Sequence, residues 1–411
     1  MRALAEKAVL RPAPPAGVKS VLRDWALGHF DVFTRVLRRT WPIPHGFGVT
    51  AVLRFDDVVE VFANDRAFPI DYDGKLSVIM DHRFFLGMGN TPEYRRDTDM
   101  LRRAVLPSDI PHLARRTREL GQELVEAGDG RIEVVQMVRD ITFGVLAPYF
   151  GVTAPEGEDL QIWATRLFEF QFTDPGGDPA LRAEVDQIAP RLRSHVDALI
   201  RARKRDGHFG DDVLGRCLAL QAEGVPGSDD AGIRTALLGA VVGGPPQPPM
   251  VVPQALAQLL LRPADLAAAQ AAARARDEAT LAGYVTEAMR FDPLAPGLFR
   301  RVAFDTTIAA GTPRATKVQA GTKVFVAFRS AMQDPVFVPD PQRFDPTRPA
   351  DQYIHFGHGL HTCFGAHINR ALLPLMLEPL LARPNLRAAS GREGRLLKRG
   401  AFADRLVIHY S

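Results

Sequence analysis

The sequence predicts a mainly α-helical fold with a smaller β part, and three observations carry that reading. Pro179 to Lys204 places Ile188, Leu192, Val196, Leu199 and Ile200 at helical spacing. Asp230 to Leu261 is apolar throughout, as in a buried helix, and Ala264 to Phe291 is rich in alanine, the best helix former. Strand-like runs are short and confined to a region near the start and to the stretch after Phe299.

In chain order, Val49 to Phe55 alternates weakly and reads as a strand, and Asp56 is placed to cap a helix reaching about Asn64. Leu101 to Val105 and Asp109 to Ala127 read as helices split by Pro107, whose ring cannot continue a helix. Glu133 to Tyr149 and Glu156 to Phe172 are further helices. The apolar run Val213 to Ala222 holds Cys217, which reads as core. Past the alanine-rich stretch, short strands are expected between Val302 and Phe328. Asp334 to Gln352 is Pro-rich and irregular, yet Phe337, Phe344 and Tyr353 require burial, so it is not a linker. Leu406 to Tyr410 is the last strand. No internal repeat or low-complexity segment divides the chain, which is read as one domain over residues 1–411.

Composition excludes several classes. The formal charge of +3 is small for 411 residues, and Lys and Arg are interspersed with Asp and Glu, so nucleic-acid binding is not indicated. No run reaches the roughly 18 apolar residues of a membrane span, so no membrane anchor is expected. Met1 to Ser20 has scattered basic residues and a proline cluster without a long apolar core, unlike a secretory signal. Two cysteines fit a reducing compartment, hence a cytoplasmic protein, and richness in Ala, Arg and Pro suggests a GC-rich bacterial genome.

The chemistry concentrates in Phe356-Gly357-His358-Gly359-Leu360-His361-Thr362-Cys363-Phe364-Gly365, followed by a helix-like stretch from Ala366 to Leu377. One cysteine in a glycine-rich loop before a helix suits a thiolate, because a helix N-terminus stabilises negative charge. A low-pKa thiolate ligates a soft or borderline metal, and the glycines let the backbone approach something flat and bulky. The plainer reading is a buried structural thiol; two cysteines alone make no metal site, and neither Cys-x-x-Cys nor His-Glu-x-x-His is present. Position for position, the run resembles the heme-binding loop of the cytochrome P450 family, Phe-Gly-x-Gly-x-His-x-Cys-x-Gly. The resemblance implies that fold, heme b as cofactor, Cys363 as axial iron ligand, His361 on a heme propionate, and Phe356 and Gly357 against the heme.

Glu287-Ala288-Met289-Arg290 places a carboxylate and a guanidinium on one helix face. Alone, such a pair is a solvated contact of about 0.2–0.5 kcal/mol. Followed by Phe291-Asp292-Pro293, it resembles the family's Glu-x-x-Arg helix, and Arg343 in Pro341-Gln342-Arg343-Phe344-Asp345-Pro346 matches the third member of its buried triad. Glu287, Arg290 and Arg343 are therefore expected to be structural. Arg102 resembles a propionate-binding arginine, although the companion histidine position holds Thr98. Arg300, or its neighbour Arg301, resembles the family's propionate-binding strand arginine. Each of these arginines reads otherwise as a surface charge. The resemblance extends from about Gly48 to the C-terminus.

The buried helix departs from the family. Gly243 and Gly244 fall where paired small residues lie over the heme. Next comes an acid–Thr pair that delivers protons for O–O cleavage, but Pro246 and Gln247 stand there. Proline has no side-chain donor, and an amide does not titrate at neutral pH. Pro245, Pro246, Pro248 and Pro249 should break the helix and free carbonyls from Val241 to Gly244. Three readings stand: the alignment is shifted and the prolines form a loop, Gln247 satisfies a freed carbonyl, or Gln247 acts catalytically by donating to an oxygen near the iron.

The expected function is oxidation of a small apolar organic substrate by monooxygenase-family chemistry with an altered oxygen-activation site, fed by a separate ferredoxin or flavoprotein. Alternatives are a peroxide-using enzyme (a fatty-acid hydroperoxide isomerase or dehydratase, or a peroxygenase) and a non-catalytic heme sensor or carrier. Phe168, Phe170, Phe172, Leu294, Leu298 and Phe402 are candidate pocket walls, or plain core.

Overall fold

The computed structural model describes residues 29–46, 48–174 and 176–411. The reading of Met1 to Ser20 lies outside these residues. The fold is mainly helical, with small sheets flanking the helices. One sheet takes the order 45–46, 49–52, 323–326, 298–301, and its parallel pair joins Val49–Val52 to Lys323–Val326. A second pairs Val407–His409 with Arg131–Glu133 and Arg387–Ala388. Both sheets thus pair strands that are distant in sequence. Among the described residues, no helix is long and apolar enough to cross a membrane.

Local chemistry explains most boundaries. The helix Val134–Phe150 starts where the Glu133 carboxylate accepts the N–H groups of Val135 and Gln136. Leu160–Phe168 is capped by Asp159 and continues through a π-turn at Glu169–Thr173, so the expected Glu156–Phe172 helix is shorter and ends irregularly. The helix near Leu101 begins earlier, at Pro92, behind a Thr91 cap. Asp56 is not a cap: the helix Phe55–Ala63 starts one residue before it, after Arg54. The alanine-rich stretch is two helices, Pro263–Ala275 and Glu278–Phe291, because Arg276 turns left-handed at φ 54° and Asp277 caps the second. Sequence reading missed two further helices, Phe30–Thr40 and Asp73–Met80.

Two apolar clusters form the interior. The larger holds the central helices, including Pro179–Asp206 and Ala366–Leu381, and Cys217, whose thiol faces the Met100 sulfur at 3.7 Å. The smaller lies under the four-stranded sheet and includes Ile354. Phe356, Leu360 and Phe364 pack on the larger cluster, so the cysteine loop straddles both. Phe337, expected to be buried, is 40% exposed, one ring face stacked on Phe55 at 3.8 Å. Phe344 is half-buried, stacked near Tyr284 and Phe291.

Candidate active site

The cysteine loop is held by its own backbone. The Cys363 N–H donates to the Phe356 carbonyl at 2.8 Å, closing the loop, and the Cys363 carbonyl accepts from Ala366 N at 3.1 Å, where the helix Ala366–Leu381 begins. The Tyr94 hydroxyl donates to the Leu360 carbonyl at 2.7 Å and ties the loop to the helix Pro92–Ala104. Gly357 and Gly359 both adopt φ 74°. A Cβ at Gly359 would lie 2.7 Å from the Phe62 carbonyl oxygen, so only glycine fits between the loop and that helix end.

The thiol contradicts one expectation. Burial pushes the Cys363 sulfur above its ordinary range, opposed by the Gly365 N–H, the Arg370 charge and the Asn369 side-chain amide. The helix terminus alone does not make a low-pKa thiolate, because desolvation of the anion outweighs it. A bonded cation would supply the missing stabilisation. Among the described residues no cluster of three His, Cys, Asp or Glu side chains is able to hold a metal. A metal on Cys363 must therefore bring its own donors, as a porphyrin does.

Arg300 makes the same point. Its side chain is only 4% exposed, its one hydrogen bond runs to the Phe299 carbonyl, and its cation lies over the Phe62 ring at 5.2 Å. Burial lowers its pKa, and no carboxylate pairs with it among the described residues. Arg301 instead faces outward and binds Asp71 at 2.5 Å. Burial and the Arg300 charge depress His361 to about 4, so its ring is neutral at pH 7 and near that guanidinium. A buried cation without an anion, beside a half-buried imidazole, fits an acidic group such as a propionate. Arg102 is exposed, and its charge acts on Tyr94, whose ring lies 6.0 Å from His361. Thr98 is spent inside its helix, donating to the Tyr94 carbonyl at 2.7 Å.

The Glu287 carboxylate is fully buried and fully used. It accepts from Arg290 Nε and Nη2 at 2.8 and 2.7 Å, from the Asp345 N–H at 2.9 Å and from the Tyr353 hydroxyl at 3.0 Å. The second arginine is Arg348, whose Nε donates to it at 3.3 Å. This corrects the assignment of Arg343. Its side chain is exposed, and only its backbone carbonyl participates, accepting from Arg290 and Arg348 at 3.2 and 3.0 Å. The turn from Asp340 to Asp345 carries the Arg343 side chain outward and returns the chain so that Arg348 points in. Because every lone pair is met, the buried ions are tolerated and fasten the irregular segment to the helix Glu278–Phe291.

Comparisons agree with this geometry. The family model described as Cytochrome P450 matches residues 280–399. The erythromycin C-12 hydroxylase of Saccharopolyspora erythraea is 27% identical over 376 residues, covering 90% of this chain and 89% of that protein. The chain belongs to the cytochrome P450 family. It is an enzyme of that family, and its cofactor is heme b. A bifunctional dioxygenase–epoxy alcohol synthase of Pyricularia oryzae is 37% identical over 121 residues, covering 29% of this chain and 10% of that longer protein. In fold, a crystal structure of P450BioI with an acyl-loaded acyl carrier protein superposes with a TM-score of 0.79 at 20% identity, covering 94% of this chain and all of that one.

On the other side of this cytochrome P450's core, the apolar run is two helices, Asp230–Gly243 and Pro248–Leu260, interrupted where the prolines stand. Pro245 and Pro246 cannot donate to the Val241 and Val242 carbonyls. The Gln247 N–H bonds the Gly244 carbonyl at 3.2 Å, and its side-chain amide donates to the Gly243 carbonyl. The second of the three readings of Gln247 is thus the contact present, and it leaves the other amide hydrogen uncommitted. A Cβ on Gly243 would meet nothing within 4 Å, so this residue borders open space. Gln254, missed by sequence reading, spans from the second helix to the carbonyls of Asp292 and Pro293 at 3.2 and 2.8 Å and holds the segment leading to Leu294.

Phe168 lies 4.8 Å from Phe172 and 6.1 Å from Phe402, ring centroid to centroid, so three of the proposed pocket residues meet. Tyr72 joins them, 5.2 Å from Phe172. Leu294 packs on the larger of the two core clusters, whereas Leu298 packs on the cluster under the sheet. Phe170 points elsewhere, its ring beneath Lys75 at 4.9 Å and Arg182 at 5.8 Å.

Proposed function

We propose that this chain oxidises a small apolar organic substrate by monooxygenase-family chemistry, with protons that do not come from a side chain at positions 246 and 247. The observation that carries this is the interrupted helix. It has no acid or hydroxyl at those positions, and Gln247 spends an amide hydrogen on the Gly243 carbonyl. Heme, when bound, supplies the oxidising chemistry. Cys363 holds the iron, Arg300 and His361 meet the propionates with Arg102 at the rim, and Phe356 and Gly357 support the heme from the loop. Glu287, Arg290 and Arg348 hold that loop's frame. Phe168, Phe172, Phe402 and Leu294 line an apolar space that excludes water. Gln247 and the open backbone at Gly243 leave room for an ordered water as proton donor, while Gly244 keeps the chain close to the Ala240 carbonyl. Residues 1–411 act as one domain in this reading, with electrons from a ferredoxin or flavoprotein.

The local similarity to a dioxygenase–epoxy alcohol synthase favours a second reading, a hydroperoxide substrate. An epoxy alcohol has the same atoms as an unsaturated hydroperoxide, so that isomerisation needs no added electrons and no net protons. Purified holoprotein is tested with a surrogate ferredoxin system and, separately, with hydrogen peroxide and lipid hydroperoxides. Turnover only with electrons and dioxygen supports the first reading; turnover only with hydroperoxides supports the second. Product formation by neither route, across a broad panel, would leave a heme sensor or carrier. Gln247→Ala should keep its heme and lose turnover if the uncommitted amide hydrogen takes part; unchanged turnover removes Gln247 from the mechanism.

A further inference from the structure

We infer that Tyr72 and Gln171 form a polar corner of the apolar space and select a substrate that carries a neutral oxygen function, a carbonyl or a hydroxyl, on an otherwise apolar frame. The inference rests on the reading of a small apolar substrate and deepens it. Tyr72 directly precedes the helix Asp73–Met80, and its ring meets Phe172 edge-on at 5.2 Å. Gln171 is the chain neighbour of Phe172 in the π-turn Glu169–Thr173. With Ala164, Leu167 and Phe168 it follows the i, i+3, i+4, i+7 pattern of a buried helix face, and it is only 5% exposed. Among the described residues, neither the Tyr72 hydroxyl nor the Gln171 amide has a hydrogen-bond partner, and neither is among the polar atoms sealed from all open space. Burial raises the Tyr72 pKa, so its oxygen lies deep in the protein rather than at the outer surface. Enclosed polar groups that lack partners and still touch open space face a cavity, and they call for a partner within it.

The neighbouring cations decide the charge of that partner. Lys75 is engaged, its Nζ donating to the carbonyls of Phe170 and Asp174 and to the Asp174 carboxylate. Arg193 is engaged at the other end of the same helix, on the carbonyls of Val78 and Ile79 at 2.9 Å each. Arg300, whose backbone bridges to Ile70, is assigned to a propionate. A substrate carboxylate would therefore bring a charge without a cation of its own, and burying it is costly. A neutral oxygen accepts from the phenol and the amide alike. The Lys75 contacts also fix the helix Asp73–Met80 against the π-turn, so both donors are held in place before anything binds.

Calorimetric titration of the holoprotein with indane, indanone and indanecarboxylate tests this. Tyr72→Phe and Gln171→Leu should each weaken indanone roughly three- to tenfold, the loss of one hydrogen bond, and leave indane within about twofold. The wild type should bind the carboxylate more weakly than the ketone. Unchanged indanone affinity in either variant overturns the inference, as does a carboxylate that binds more tightly than the ketone. Tyr72→Phe should also keep its heme as the wild type does; faster heme transfer to an acceptor globin, with the ketone preference intact, would place the phenol on a propionate and overturn the inference. Failure of the underlying reading is separate: the wild type would then bind neither indane nor indanone, and the inference falls with it.

Discussion

Arg348, not Arg343, completes the buried network on Glu287: its guanidinium Nε lies 3.3 Å from the carboxylate, while Arg343 lends only a backbone oxygen. The two arginines are five positions apart, and their substitution should separate them cleanly. Arg348→Ala uncovers one face of a buried carboxylate and should cost about 3 kcal/mol. Arg343→Ala, on an exposed side chain, should stay within about 0.5 kcal/mol. Denaturant midpoints of the two variants check this, and equal losses would contradict the network.

Arg300 and Arg301 form a second pair of neighbours with opposite expectations. Arg300→Met removes a buried, unpaired charge, so the heme-free protein should be no less stable than the wild type. The same variant should release heme at least about tenfold faster, equivalent to roughly 1.4 kcal/mol. Arg301→Ala loses only an outward pair with Asp71 and should change neither quantity by much. Thermal melts of apoprotein and heme transfer to an acceptor globin give both readings.

His355 predicts an acid limb in the stability profile. Burial first, then the nearby Arg290 and Arg370 charges, lower its pKa to about 3 against an opposing pull from the Thr286 backbone. The unfolded chain takes up this proton near pH 6.5 and the folded protein does not, so unfolding is favoured as pH falls from there toward 3. The loss approaches about 1.4 kcal/mol per unit of pH across that window. His355→Phe should flatten this limb in urea titrations at pH 4 to 7, whereas an unaltered slope would assign the acid sensitivity to other groups.

Gly359→Ala tests the loop's path. The residue must hold φ 74° with a Cβ 2.7 Å from the Phe62 carbonyl oxygen. Left-handed strain alone costs about 1–2 kcal/mol for a non-glycine residue, and the contact adds to it. Reduced heme content per chain, with the helices retained by far-UV circular dichroism, is the expected result.

Much of the site was readable before the fold. The cysteine loop is contiguous, and its glycines, cysteine and following helix interact over a few residues, so spacing alone exposes them. The helix start at Glu133 follows the same logic, since a cap reaches two or three residues ahead. The break at Pro245 to Pro249 was equally legible, because proline removes its own donor whatever surrounds it.

Other features needed the chain brought back on itself. Asp334 to Gln352 is mostly irregular, with no period to say which arginine turns inward, and only its packing against Glu278–Phe291 selects Arg348. Arg300 and Arg301 differ by which side of a strand each occupies, and the pairing with Lys323–Val326 decides that. The separation of Leu298 from Phe168, Phe172 and Phe402 likewise depends on contacts between distant segments. Sequence by itself determined the candidate cysteine loop, the helical character and the proline break in the apolar run, all local in chain and in chemistry. Tertiary structure decided which charges are buried and what each one faces, because desolvation and partnership belong to space rather than to sequence order.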